Sequence, residues 1–166
     1  MRFEGRAVLV PGDNVDTDVL YPGPYLNIGD PEEMKPFLFE GLDPTIRDRL
    51  GGDTVLVVGA NFGIGSSREH VPRAMQAWGV RCLVAPSFAR IFYRNCINLG
   101  LLAVQSEEAA ALARDDSWIS VDPAEGTIDV DGATVPAPKL PPFILEAIRL
   151  GGLVEWARAH TAAEAG

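Results

Sequence analysis

Cysteine is scarce in this chain: Cys82 and Cys96 are the only two in 166 residues. Two thiols exclude a disulfide scaffold and a cluster ligated by this chain's own cysteines. Cys82 stands in an apolar strand and Cys96 in a predicted helix, where a buried thiol acts as a small hydrophobe. Histidine is equally rare, with only His70 and His160. A lone histidine makes a poor metal site, so no metal is expected on this chain. Basic charge is short as well: 14 Lys and Arg face 23 Asp and Glu, a net charge of −9. That balance argues against nucleic acid or an anionic membrane as a partner. No apolar run approaches the roughly 20 residues needed to span a bilayer. Val8-Leu9-Val10 is cut off by Pro11-Gly12, so no signal peptide is read at the start, and a cytoplasmic location is expected.

The rest of the composition fits one domain with a real core over residues 1–166. Residues 5–10 read as a first strand. Residues 11–36, punctuated by prolines and glycines, read as a long mobile loop of the kind that carries function. One or two short helices fill 37–50. A central unit comes next: strand 54–58, a glycine loop, helix 68–78, strand 81–85, helix 88–97 and strand 101–104. Ser106 opens a helix with acids in its first turn. Strand 118–121 precedes a hairpin turning on Asp131-Gly132. Helix 142–150 and a last helix to about Arg158 end the domain, and an Ala-rich tail, 159–166 with His160, is expected to fray. Hairpins mixed with crossovers predict an α/β domain with a mixed sheet and flanking helices.

The most informative residues are Asn61-Phe62-Gly63-Ile64-Gly65-Ser66-Ser67-Arg68-Glu69-His70, between a buried strand and a helix. Glycines at 59, 63 and 65 after a strand fit a dinucleotide loop. Against that, the next strand ends in Pro86-Ser87 with no acid for a ribose, and no Tyr-x-x-x-Lys pair exists. The second reading is an anion-binding catalytic loop. Arg68 can grip a carboxylate with two prongs, Ser66 and Ser67 can donate to it, and a hydroxyl held by N–H groups and a cation can serve as a base. A bland alternative makes Ser66 or Ser67 a helix cap.

The stretch from Gly59 to Leu102, with G-S-S-R-E-H and A-P-S-F-A-R-I-F-Y-R-N-C, resembles the small subunits of 3-isopropylmalate dehydratases, the swivel-domain branch of the aconitase superfamily. Upstream, Gly12-Asp13-Asn14-Val15-Asp16-Thr17-Asp18 and Pro22-Gly23-Pro24-Tyr25-Leu26 match in the same order. The resemblance covers residues from about 6 to 158. It implies a single swivelling β/β/α domain like the fourth domain of aconitase. It also implies a hydro-lyase of leucine biosynthesis that moves water across a double bond of a malate-type substrate.

By that resemblance Ser66 is the catalytic base, and Ser67 and Arg68 hold a substrate carboxylate. Asp16, Thr17, Asn61, Gly63, Gly65 and His70 support them, His70 by orienting the loop, and Arg90 and Arg94 are further candidates. Tyr25, Leu26, Asn27 and Ile28 face the substituent that distinguishes substrates. Homoaconitases place an arginine just after Tyr-Leu, and Asn27 stands there instead, which disfavours a further carboxylate. Isopropylmalate is the expected substrate, with methylmalate, dimethylmalate and homoaconitate types as rivals. Outside the class, the rivals are a dinucleotide-dependent oxidoreductase and a non-catalytic binding module. The resemblance also implies a large subunit carrying a 4Fe-4S cluster, in a heterodimer or heterotetramer.

Overall fold

The computed structural model of the chain describes residues 1–165, with side chains described through residue 162. Seven strands form one sheet: β1 Phe3–Val10, β2 Thr54–Val58, β3 Val80–Ala85, β4 Leu102–Gln105, β5 Trp118–Asp122, β6 Thr127–Val130 and β7 Ala133–Pro136. Their order across the sheet is β4-β3-β2-β1-β5-β6-β7. The pairs from β4 to β1 are parallel and those from β1 to β7 antiparallel.

Alternation along the parallel strands divides the core in two, as a period of two requires. Val8, Val10, Leu56, Val58, Leu83 and Ala85 join one cluster. Ala7, Val55, Val57, Cys82, Val84 and Leu102 join the other. A strand covered on both faces reads as an unbroken apolar run, and every residue of β2 is buried. Helices α3 (His70–Ala77) and α4 (Arg90–Asn98) contribute Val71, Met75, Phe92 and Cys96 to the first cluster. The second face shares its core with Ile119, Val121, Ile128 and Val130 of the antiparallel strands and with Ile148. The sheet therefore curls until its antiparallel half covers the parallel half, giving the β/β/α layering. The β6–β7 hairpin turns on Asp131 and Gly132 at φ +50° and +91°, the primed turn that Asp-Gly favours.

Several boundaries differ from the expectations. Residues 11–36 are not one long loop. They hold α1 (Thr17–Leu20), a 3-10 turn at Gly23–Tyr25 and α2 (Pro31–Met34). Asp16 and Asp30 each cap a helix start by accepting a backbone N–H, and Leu20, Tyr21 and Met34 are buried. Helix α3 starts at His70 rather than Arg68, so Ser66 and Ser67 lie before it and neither caps it. Beyond β4 come helices α5 (Glu107–Leu112), capped by Ser106 as expected, and α6 (Pro142–Leu150). The last, α7, runs Leu153–Ala165, well past Arg158 and through most of the tail expected to fray. His160 sits inside it, stacked on Trp156 at 4.0 Å. Gly166 lies outside the described residues. No described helix is long and apolar enough to cross a membrane.

Candidate active site

Loops leaving the carboxyl ends of three adjacent parallel strands meet in one place, where open α/β sheets form ligand sites. After β1, Asn14 N–H donates to the Ala60 carbonyl and Thr17 N–H to that of Ile64. After β2, Gly63 N–H donates to the Val15 carbonyl, and Phe62 N–H to that of Ser87 in the loop after β3. The two glycines are required here. Gly63 and Gly65 hold φ of +88° and +97°, a region costly for side chains. A Cβ on Gly63 would enter the Phe92 ring, and one on Gly65 would lie 2.7 Å from an Asp16 carboxylate oxygen.

Asp16 and Thr17 fix the serine loop from the β1 side. The Asp16 carboxylate accepts from the Asp18 N–H at 2.7 Å, and the Thr17 hydroxyl donates to the Ser66 carbonyl at 2.8 Å. Ser66 Oγ donates to Asp18 Oδ1 at 3.2 Å and accepts from Arg68 Nε at 3.3 Å. Arg68, whose side chain is only 14% exposed, also pairs with Asp18 at 2.8 Å and donates to the Tyr21 carbonyl at 2.6 Å. Its guanidinium is thus oriented by three partners and keeps further N–H donors for a ligand. Ser67 Oγ accepts from the Asn95 amide at 2.9 Å. Among the described residues, the backbone N–H groups of Ser66, Ser67, Arg68 and Glu69 have no acceptor. The result is a cleft of about 440 Å³ lined by Leu26, Ser66, Ser67, Arg68, Glu69 and His70.

His70 ties the segment 25–28 to this cleft. Its Nε2 lies 2.9 Å from the Leu26 carbonyl. Since a carbonyl only accepts, Nε2 carries the proton. Its ring stacks on Tyr21 at 4.9 Å, and its Nδ1 is buried without a partner. The Tyr21 hydroxyl donates to the Tyr25 carbonyl at 2.8 Å, and burial pushes the Tyr21 phenol above its ordinary range. Of residues 25–28, Leu26 lines the cleft. Ile28 lines an adjoining hollow of about 270 Å³ with His70 and Arg73. Tyr25 stacks on Phe37 at 3.9 Å, and Asn27 is exposed. Asn61 acts one step back, bonding Asn14 at 3.0 Å and the Ser87 hydroxyl through its N–H. Arg90 and Arg94 do not line the cleft; they border a separate groove along α4. The structure adds three residues to the pattern: Asp18, whose carboxylate joins Ser66 to Arg68; Tyr21; and Asn95. Asp18 stands in the Asp-Thr-Asp motif, and Asn95 in the A-P-S-F-A-R-I-F-Y-R-N-C stretch, where nothing else in the sequence singles it out.

The family model described as the aconitase C-terminal domain matches residues 11–109. The small subunit of 3-isopropylmalate dehydratase from Caldanaerobacter subterraneus is 44% identical over 158 residues, 94% of this chain and 98% of that one. The small subunit 1 from Methanopyrus kandleri is 46% identical over 155 residues, 92% of this chain and 91% of that one. This chain belongs to the 3-isopropylmalate dehydratase small-subunit family of the aconitase superfamily. A crystal structure of 3-isopropylmalate dehydratase from Methanocaldococcus jannaschii superposes with a TM-score of 0.90 at 34% identity, covering 99% of this chain and 98% of that one. Membership favours the anion-binding reading of the glycine loop over the dinucleotide reading.

Among the described residues, no group of three His, Cys, Asp or Glu side chains could hold a metal ion. Both cysteines are buried, and burial pushes the Cys82 thiol up to about 12 and the Cys96 thiol higher still. Cys82 and Cys96 lie in separate core clusters, so they do not converge as ligands of an iron–sulfur cluster must.

Proposed function

We propose that this chain is the small subunit of a 3-isopropylmalate dehydratase, a hydro-lyase that interconverts 2- and 3-isopropylmalate in leucine biosynthesis, in the cytoplasm, together with a large subunit. The observation that carries the reading is the convergence of Ser66, Ser67 and Arg68 in one cleft at the sheet's carboxyl edge. A cluster on the large subunit would supply the Lewis acid for the departing hydroxyl. This chain supplies the base and the carboxylate grip. Ser66 takes the proton from the carbon beside a carboxylate. The Arg68 Nε–H at 3.3 Å favours its deprotonated form, against the Asp18 carboxylate that accepts the hydroxyl proton at 3.2 Å. Arg68 and the Ser67 hydroxyl hold the carboxylate and fix the carbon against Ser66.

The lining favours an aliphatic substituent. Leu26 is 39% exposed at the cleft, and no cation stands in residues 25–28. Arg73, beside the adjoining hollow, is engaged by Glu69 at 3.4 Å. A buried extra carboxylate would find no cation within residues 25–28 to pair with.

The test is anaerobic turnover by the chain purified with its large subunit, comparing isopropylmalate, citramalate and homoaconitate. Isopropylmalate activity that vanishes in Ser66→Ala supports function and base together. Preference for another malate moves the substrate and keeps the chemistry. An assembled complex inactive on all three refutes the reading.

A further inference from the structure

A second concave surface lies along α4. It is a groove of about 380 Å³, floored by Tyr93, Ile97, Ile144 and Leu153 and rimmed by Arg90 and Arg94. A smaller hollow shares Tyr93 with it and extends to Ala103, Val104 and Gln105 on β4, an edge strand of the sheet. Three of the large apolar side chains left in solvent are sequence neighbours of its lining: Ile91 and Phe143 at 50% exposure and Val154 at 61%. Exposed apolar side chains grouped around a groove mark a contact surface.

The charges say what kind. In a chain of net charge −9, eight arginines each have an acidic partner. Among the described residues the other four, Arg81, Arg90, Arg94 and Arg114, have none, and of these only Arg90 and Arg94 line the groove. They stand one helical turn apart on α4 beside an apolar floor. Aliphatic and aromatic anchors ringed by arginine are the usual makings of an interface centre. The same helix carries Asn95, whose amide holds the Ser67 hydroxyl. A partner seated on this face is therefore registered against the catalytic loop through a single rigid element.

We propose that the α4 groove, rimmed by Arg90 and Arg94, docks an acidic, apolar-tipped segment of the large subunit. The inference rests on the small-subunit reading and adds to it the surface that aligns the two chains. The apolar tip fills the floor between Tyr93 and Leu153, and the acids pair with the two guanidiniums.

The experiment titrates the purified chain against its large subunit by calorimetry at low and high salt. It uses wild type, Arg90→Glu/Arg94→Glu, Arg90→Lys/Arg94→Lys and Ser66→Ala. All the substituted side chains are exposed or outside the core, and circular dichroism verifies the folds. The charge-reversed chain should bind at least about tenfold more weakly, and its affinity should fall less with salt than that of wild type. The lysine pair should retain most of the affinity, and Ser66→Ala should assemble normally while inactive. Unchanged affinity in the charge-reversed chain overturns the docking surface and leaves the function intact. Wild type that binds no large subunit overturns both. A concentration-dependent self-association of wild type, lost on charge reversal while large-subunit affinity is unchanged, assigns the groove to a second copy and overturns the proposal.

Discussion

Gly65→Ala tests whether the serine loop is held by backbone conformation and by contact with Asp16. At φ +97° an alanine costs about 1–2 kcal/mol in left-handed strain. Its Cβ would also lie 2.7 and 2.9 Å from the two Asp16 carboxylate oxygens. The carboxylate must move, which breaks its 2.7 Å bond to the Asp18 N–H and costs about 1 kcal/mol as a lost cap. The total is about 2–3 kcal/mol, or roughly 5–10 °C in Tm for a domain of this size. Asp16→Ala removes the carboxylate, so the double variant should escape the clash while keeping the strain. A double-mutant cycle on thermal unfolding should therefore show a coupling of about 1 kcal/mol. Turnover by the assembled enzyme should fall about a hundredfold in Gly65→Ala, because the strain sits one residue before Ser66. A Tm within about 1 °C of wild type, or strict additivity with Asp16→Ala, refutes this account.

Arg68→Lys keeps the charge but cannot reach Tyr21, Asp18 and Ser66 together. Steady-state kinetics should show kcat/KM reduced about a hundredfold or more, and near-full turnover would remove Arg68 from the carboxylate grip. Cys82 and Cys96 are buried with raised thiol pKa values, so Ellman's reagent at pH 8 should label neither in the folded chain and both in denaturant. Asp131 accepts the Trp118 N–H at 2.8 Å, and that bond lowers its carboxyl below the usual range. Because the folded value is the lower one, its stabilisation is present above the unfolded carboxyl value of about 4 and is lost as pH falls through the folded value. Asp131→Asn, which still suits φ +50°, should lower the urea midpoint at pH 7 more than at pH 3, and equal losses at both would reject the linkage.

The parallel strands were legible because burial on both faces leaves a run such as Thr54–Val58 with no polar interruption, and β2 occupies those five residues. The Asp131-Gly132 hairpin was legible because few residue pairs tolerate two successive positive φ values. What misled was punctuation. Prolines and glycines through 11–36 read as open loop, yet Asp16 and Asp30 supply caps and Leu20, Tyr21 and Met34 find buried positions. Local chemistry cannot report that tertiary burial, and it is what holds such short helices in place. The glycine loop drew attention to Ser66, Ser67 and Arg68, but their partners are remote in sequence. Asp18 lies 48 residues from Ser66, and Asn95 lies 28 from Ser67. Only the meeting of loops from neighbouring strands joins them.

If Ser66 is the base, as proposed, Asp18 holds the isolated chain short of catalysis. Two groups act on the Ser66 hydroxyl in opposite senses. The Arg68 Nε–H favours the alkoxide, and the Asp18 carboxylate, accepting the proton of the neutral hydroxyl, disfavours it. Asp18 also pairs with Arg68 at 2.8 Å, so part of the cation that would stabilise an alkoxide is already neutralised. Asp18 is largely exposed, with 58% of its side chain in solvent, and a solvated carboxylate gives up a partner cheaply. A substrate carboxylate bound to Arg68 competes with Asp18 for the guanidinium. In a cleft closed by a second subunit that competition takes place out of water, where each charge counts for more. On the proposed reading, assembly and substrate would act on this one ion pair, and Ser66 would be freed to act as a base when both are present.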